Sequence, residues 1–143
     1  MQYLYDLQKM KKPLLLFLVD DDPDDLMLFE DAIREIDPRI EINIAGNGVD
    51  ALKKINNGDL SRTPDYIFID LNMPLMNGIQ CLHEIKKIPD YFNVPIIIYS
   101  TSSYERDVLQ AIDSGAFHYI VKPFSFHELR EKLHHVLQMK REA

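Results

Sequence analysis

Leu14 to Val19 is an uninterrupted apolar run that ends in Asp20, Asp21 and Asp22. A run of strand length with no alternation is what a central strand covered on both faces looks like, so it predicts strand β1. Leu26, Phe29, Ile33 and Ile36 then recur at helical spacing as far as Asp37-Pro38, predicting helix α1 with Asp22 as N-cap and Pro23 as its first residue. Ile40, Ile42 and Ile44 alternate with polar residues and predict β2, a half-exposed strand near a sheet edge. After the Gly46-Asn47-Gly48 turn, Val49, Leu52 and Ile55 give a short α2, stopped by Asn56-Asn57-Gly58. Tyr66 to Ile69 predicts β3, and Ile79, Leu82 and Ile85 predict α3. Pro95 opens β4, Ile96 to Tyr99, before Ser100. Val108, Ala111 and Ile112 form the inward face of α4, for which Ser102 and Glu105 have the spacing of a capping box, and Gly115 is a suitable stop. Ala116 to Val121 predicts β5, and Ser125 with Glu128 caps α5, which carries Leu129, Leu133, Val136 and Leu137 up to about Lys140.

Five βα units in succession imply an α/β domain with a five-stranded parallel sheet and helices on both faces. The 143 residues are enough for one domain that buries roughly 68% of its unfolded surface. Residues 14 to 140 make up that domain. Residues 1 to 13 read as a tail or short docked segment, and no output domain is expected after α5. The single cysteine, Cys81, reads as core filler and fits a reducing, cytoplasmic setting. A formal net charge of -7 argues against a nucleic-acid partner, because phosphate contacts supply most of that affinity, and no apolar stretch is long enough for a membrane span.

In sheets of this kind ligands bind beyond the carboxyl ends of the strands. Four of the five predicted strands deliver a polar or charged group there: Asp20, Asp21 and Asp22 after β1, Asp70 after β3, Ser100 and Thr101 after β4, Lys122 after β5. Two carboxylates about 4 Å apart repel by roughly 4 kcal/mol at an effective dielectric of 20, so converging acids call for a cation or a raised pKa. Oxygen ligands alone select a hard ion, and few carboxylates with room for water favour Mg²⁺ over Ca²⁺. An aspartate flanked by a metal and a lysine can attack a phosphoryl group; Asp70 is the best placed, with Lys122 to pair with phosphoryl oxygens and Ser100 to donate one more bond. Taken singly, each residue has a plainer role. Asp22, Asp24 and Asp25 read as cap and first-turn charges on the α1 dipole, Asp70 is as readily a cap, and Ser100 alone reads as a cap. The five histidines show no ligand spacing with the acids and read as surface or interface residues.

These residues resemble the receiver domain of bacterial two-component response regulators, over about Leu14 to Gln138. FLVDDD resembles that family's acidic pocket, FIDLNMPLMNG its phosphoacceptor segment and GAFHYIVKPF its final motif. The resemblance implies the flavodoxin-like strand order 2-1-3-4-5 and a stand-alone regulator that accepts a phosphoryl group on Asp70. Asp20, Asp21, Asp70 and the backbone carbonyl of Asn72 would bind Mg²⁺; Lys122 and Ser100 would serve the transfer, Ser100 and Tyr119 would be the switch pair, and Pro123 would follow a cis peptide bond. It implies a sensor histidine kinase or histidine phosphotransfer protein as donor, self-catalysed transfer with slow autodephosphorylation and no separate substrate turnover, and a downstream protein target. A homodimer through α4-β5-α5 is compatible with it. Two other readings stand beside it: a haloacid dehalogenase-type phosphatase, with Asp20 as nucleophile in a D-x-D with Asp22, and a module that binds without phosphorylation.

Overall fold

The computed structural model describes residues 12–142, with side chains through residue 139, so the tail or docked segment expected over residues 1–13 lies almost wholly outside the described residues. The elements alternate as expected: β1 (Leu15–Val19), α1 (Pro23–Ile36), β2 (Glu41–Ala45), α2 (Gly48–Asn56), β3 (Tyr66–Ile69), α3 (Gly78–Lys86), a single 3₁₀ turn (Pro89–Tyr91), β4 (Ile96–Ser100), α4 (Glu105–Asp113), β5 (His118–Val121) and α5 (Phe126–Glu142). The strands form one parallel sheet in the order β2-β1-β3-β4-β5.

Because successive strand residues point to opposite faces, the apolar runs divide into two cores. Phe17, Val19, Ile67, Ile69, Ile96 and Ile98 face Ala51 of α2, Ile79, Leu82 and Ile85 of α3, and Ala111 of α4. Leu16, Leu18, Phe68, Ile97 and Tyr99 face Phe29 and Ile33 of α1 and Leu129, Leu133 and Val136 of α5. Phe29 anchors that second core edge-on, its ring centroid 5.0 Å from Phe68 and 5.8 Å from Tyr99. The inner strands β1, β3 and β4 are buried throughout, whereas β2 pairs only with β1 and its isoleucines are half-buried, as its alternation predicts.

Local starts and stops differ in places. The Asp22 side chain caps α1 with Pro23 as its first residue, and Ser125 Oγ accepts from the Glu128 N–H at 3.1 Å, as expected. Ser102, however, is not the cap of α4. Tyr104 holds that position without a side-chain bond, and the Ser102 hydroxyl reaches past Glu105 to Asp107. The full capping box lies instead on α3, where Asn77 and Gln80 bond each other's backbone at 2.9 and 3.0 Å. β5 begins at His118 rather than Ala116, whose N–H instead bonds Ala111 O at 3.0 Å to close α4 beside Gly115, at φ 106°.

Candidate functional site

The ladder of the parallel sheet continues past the ends of the strands and fixes the level of the groups that follow. Asp20 N–H donates to Ala45 O at 3.1 Å, Asp70 N–H to Val19 O at 2.9 Å, and Lys122 N–H to Ser100 O at 2.7 Å. Asp20, Asp70, Ser100 and Lys122 therefore arrive at one edge on rigid backbone. Ser100 is the buried last residue of β4, whereas Thr101 is exposed.

Carboxylate oxygens of Asp20, Asp21 and Asp70 lie within 4.8 Å of one another, the one such group of metal-ligating side chains among the described residues. Asp20 is fully buried, Asp70 nearly so, and Asp21 faces solvent. Lys122 Nζ sits 2.9 Å from Asp20, 2.8 Å from Asp25 and 3.7 Å from Asp70, with its stem covered and its ammonium 4.9 Å from the centroid of the Tyr99 ring. Asp25 is thus a site residue and not only a first-turn charge. Asp25 lies in the first turn of α1, and no local pattern in the sequence pairs it with Lys122, 97 residues away.

Burial raises the Asp70 carboxyl to about 6; Lys122 opposes this, Asp20 and Asp21 reinforce it, and a hydrogen bond from the Asn72 backbone lowers it. Asp20 is raised as well, again chiefly by burial, although the Asp22 N–H at 3.0 Å and Lys122 both favour its charged form. The same carboxylates push Lys122 upward, so it stays protonated. Four acids, Asp20, Asp21, Asp25 and Asp70, against one lysine leave negative charge uncompensated, and the donor set contains oxygen only. That chemistry fits a hard divalent cation with room for water, as the sequence suggested for Mg²⁺.

The loop after β3 is held close to the site by Gly78. A Cβ there would lie 2.5 Å from Asp70 O and 2.8 Å from Leu71 Cα, so only glycine lets α3 begin against the backbone of the acid. Leu75, at φ 70° and 80% exposed, forms the apex of that loop. On the other flank the half-buried Tyr119 donates its hydroxyl to Ser102 O at 2.8 Å.

The expected cis bond before Pro123 is corrected: no peptide bond among the described residues is cis. Trans is the lower-energy isomer of an X–Pro bond by roughly 0.5–1 kcal/mol, and Lys122 reaches Asp20 and Asp25 with its following bond in that form. The pairing of Asp20 with Asp22 as a phosphatase D-x-D finds no support either, since the exposed Asp22 carboxylate is occupied by the N–H groups of Asp24 and Asp25 at 2.9 and 3.2 Å. The histidines stand apart from the acids: His127 contacts Arg130, His134 contacts Gln138, and His118, half-buried near His135 and Lys132, has its pKa lowered chiefly by burial.

Residues 16–134 match the family model of the response regulator receiver domain. Over 113 residues the chain is 42% identical to a protein-glutamate methylesterase/protein-glutamine glutaminase of Desulfotalea psychrophila, covering 78% of this chain and 30% of that protein. The chain spans about a third or less of the length of the first curated relatives it matches. Among solved structures, the phosphorylated cyanobacterial phytochrome response regulator RcpA aligns with a TM-score of 0.79 at 26% identity, over 88% of this chain and 92% of that one. The Mn²⁺-bound form of response regulator Rcp1 aligns with a TM-score of 0.77 at 25% identity, over 90% and 94%. Most of the length matches one family model, and the strand order is the one that the motifs of that family implied, so the chain belongs to the response regulator receiver domain family.

Proposed function

We propose that Asp70 accepts a phosphoryl group from the phosphohistidine of a sensor histidine kinase or a histidine phosphotransfer protein. The observation that carries this reading is the meeting of Asp20, Asp21 and Asp70 oxygens within 4.8 Å beside a buried lysine 3.7 Å from Asp70. Asp20, Asp21, Asp70 and the Asn72 carbonyl would hold Mg²⁺, which when bound supplies positive charge to the oxygens of a phosphoryl group. The chain's overall likeness to the Mn²⁺-bound form of response regulator Rcp1 supports a divalent ion at the site.

The steps fall to the chain's own side chains. A deprotonated Asp70 oxygen attacks phosphorus, the P–N bond to the donor histidine breaks, and its electron pair stays with the imidazole, leaving an acyl phosphate on Asp70. Lys122, held by Asp20 and Asp25, is already desolvated and aimed at Asp70, so it pairs with the transferring oxygens at little cost in reorganisation. Ser100 Oγ accepts from the Ser102 N–H at 3.1 Å, which leaves its own proton to donate to a phosphoryl oxygen. Ser100 and Tyr119 then bias the α4-β5-α5 face between two arrangements. Tyr104, Leu109, Ile112 and Phe117 are exposed on or next to that face, which would serve a downstream protein or a second copy of the chain.

The test is to incubate the protein with Mg²⁺ and acetyl phosphate, and separately with a phosphorylated kinase or phosphotransfer domain, and to map the adduct by mass spectrometry. Modification on Asp70 that is absent in Asp70→Asn and suppressed by EDTA is the expected result. An adduct that persists in Asp70→Asn would overturn the assignment.

A further inference from the structure

Ser102, two residues past the end of β4, commits each of its polar atoms to a different part of the fold. Its N–H donates to Ser100 Oγ at 3.1 Å and its carbonyl accepts the Tyr119 hydroxyl at 2.8 Å. Its own hydroxyl donates to the Asp107 carboxylate in the first turn of α4 and accepts from the Tyr104 N–H at 3.3 Å. One residue therefore touches the hydroxyl at the site, the aromatic ring of β5 and the start of a helix.

The helix it touches is weakly held. Ala111 is the only buried residue of α4, whereas α3, of the same nine-residue length, buries five. Leu109 and Ile112 are exposed, and the N-cap Tyr104 makes no side-chain bond. The remaining ion pair of Asp107, with the exposed Arg106, is 3.9 Å long and worth little in water. A helix with so little buried area shifts at low cost, and the Ser102–Asp107 bond is the side-chain tether that joins its first turn to the loop from β4.

We propose that the Ser102 hydroxyl and Asp107 are a positioning pair that delivers movement of Ser100 to helix α4, in parallel with the Ser102 carbonyl, which delivers it to Tyr119. The proposal rests on Asp70 being the phosphoryl acceptor. When Ser100 donates to a phosphoryl oxygen, its Oγ moves toward Asp70, and the Ser102 N–H bonded to that Oγ follows. The loop then pulls Asp107 through the hydroxyl. Without the pair, Ser100 and Tyr119 stay linked through backbone groups while α4 is released from both.

The test uses the full chain and hydrogen–deuterium exchange of the α4 amides, together with NMR of labelled tyrosine, with and without Mg²⁺ and beryllofluoride as a phosphoryl mimic. In the absence of the mimic, Ser102→Ala and Asp107→Ala should each speed exchange in the first turn of α4 several-fold and by a similar factor. The double variant should add nothing further, because one bond is lost in all three. Ser102→Thr, which keeps the hydroxyl, should restore wild-type exchange. With beryllofluoride, the Tyr119 signals of both alanine variants should still respond, while the response of α4 falls by half or more. Unchanged α4 exchange in either alanine variant, additive losses, or a full α4 response to the mimic would overturn the pair. If wild-type protein takes no phosphoryl group on Asp70 while the first set of results holds, the acceptor reading fails and the Ser102–Asp107 tether stands.

Discussion

The burial of Asp70, the proposed phosphoryl acceptor, is also a source of instability. Its carboxyl rises from 3.8 to about 6 in the fold, so the folded chain holds that proton more tightly than the unfolded chain does. The associated stability is fully present below the unfolded value and is lost as pH rises through about 6, so near neutral pH without metal the charge is a net cost. Asp70→Asn should therefore stabilise the EDTA-treated protein near neutral pH by about 1–3 kcal/mol, roughly 3–10 °C in a thermal melt, with the gain vanishing toward pH ~4. An equal or lower melting temperature would refute this account of the site's electrostatics. Lys122 works in the opposite sense. It is shared by Asp20, Asp25 and Asp70, and Lys122→Ala leaves the fully buried Asp20 without its cation. A cost of about 3–5 kcal/mol in urea unfolding near neutral pH is expected, more than any exposed ion pair would give.

At the scale of elements, the start of α3 shows how a backbone requirement serves a site. Gly78→Ala would put a methyl carbon 2.5 Å from Asp70 O, and the obstacle is backbone, which cannot swing aside. The variant should lose about 1–3 kcal/mol and phosphorylate more slowly, with both effects read from denaturant unfolding and the rate of acetyl phosphate labelling. The same region marks the limit of what the sequence disclosed. Apolar runs and helical spacing placed all five strands and helices, because burial on both faces of a parallel sheet leaves little choice of pattern. Which serine or asparagine caps a helix was less legible. Ser102 and Glu105 have the same spacing as Asn77 and Gln80, yet only the latter pair closes a box. Ser102 is drawn away by Ser100, Tyr119 and Asp107, and all three partnerships are tertiary. Asp25 was hidden for the same reason: its partner, Lys122, lies 97 residues away.

Over the whole molecule, the site is a place where the ends of β1 and β3, with Asp25 of α1, concentrate negative charge that one lysine does not balance, in a chain whose formal net charge is already -7. The sequence disclosed this convergence, since β1 and β3 run straight from apolar residues into their acids and β5 into Lys122. It did not disclose how far Asp20 is pre-paired, because that depends on how Lys122 lies across the sheet edge. Burial raises Asp70 to about 6, so Asp70 is a group that gives up a proton when a cation binds. Binding of Mg²⁺ should then displace a proton from the fraction of Asp70 still protonated, and affinity should fall as pH drops through about 6. Near neutral pH, Mg²⁺ at a hundredfold excess over its dissociation constant should stabilise the fold by about 2.7 kcal/mol relative to EDTA. Below pH ~5 most of that gain should disappear, and in Asp70→Asn it should be small at any pH. Thermal melts of both proteins, with and without Mg²⁺ across this range, measure it directly. Stabilisation by Mg²⁺ that survives at acid pH in wild type would mean that the cation is held by groups other than Asp70.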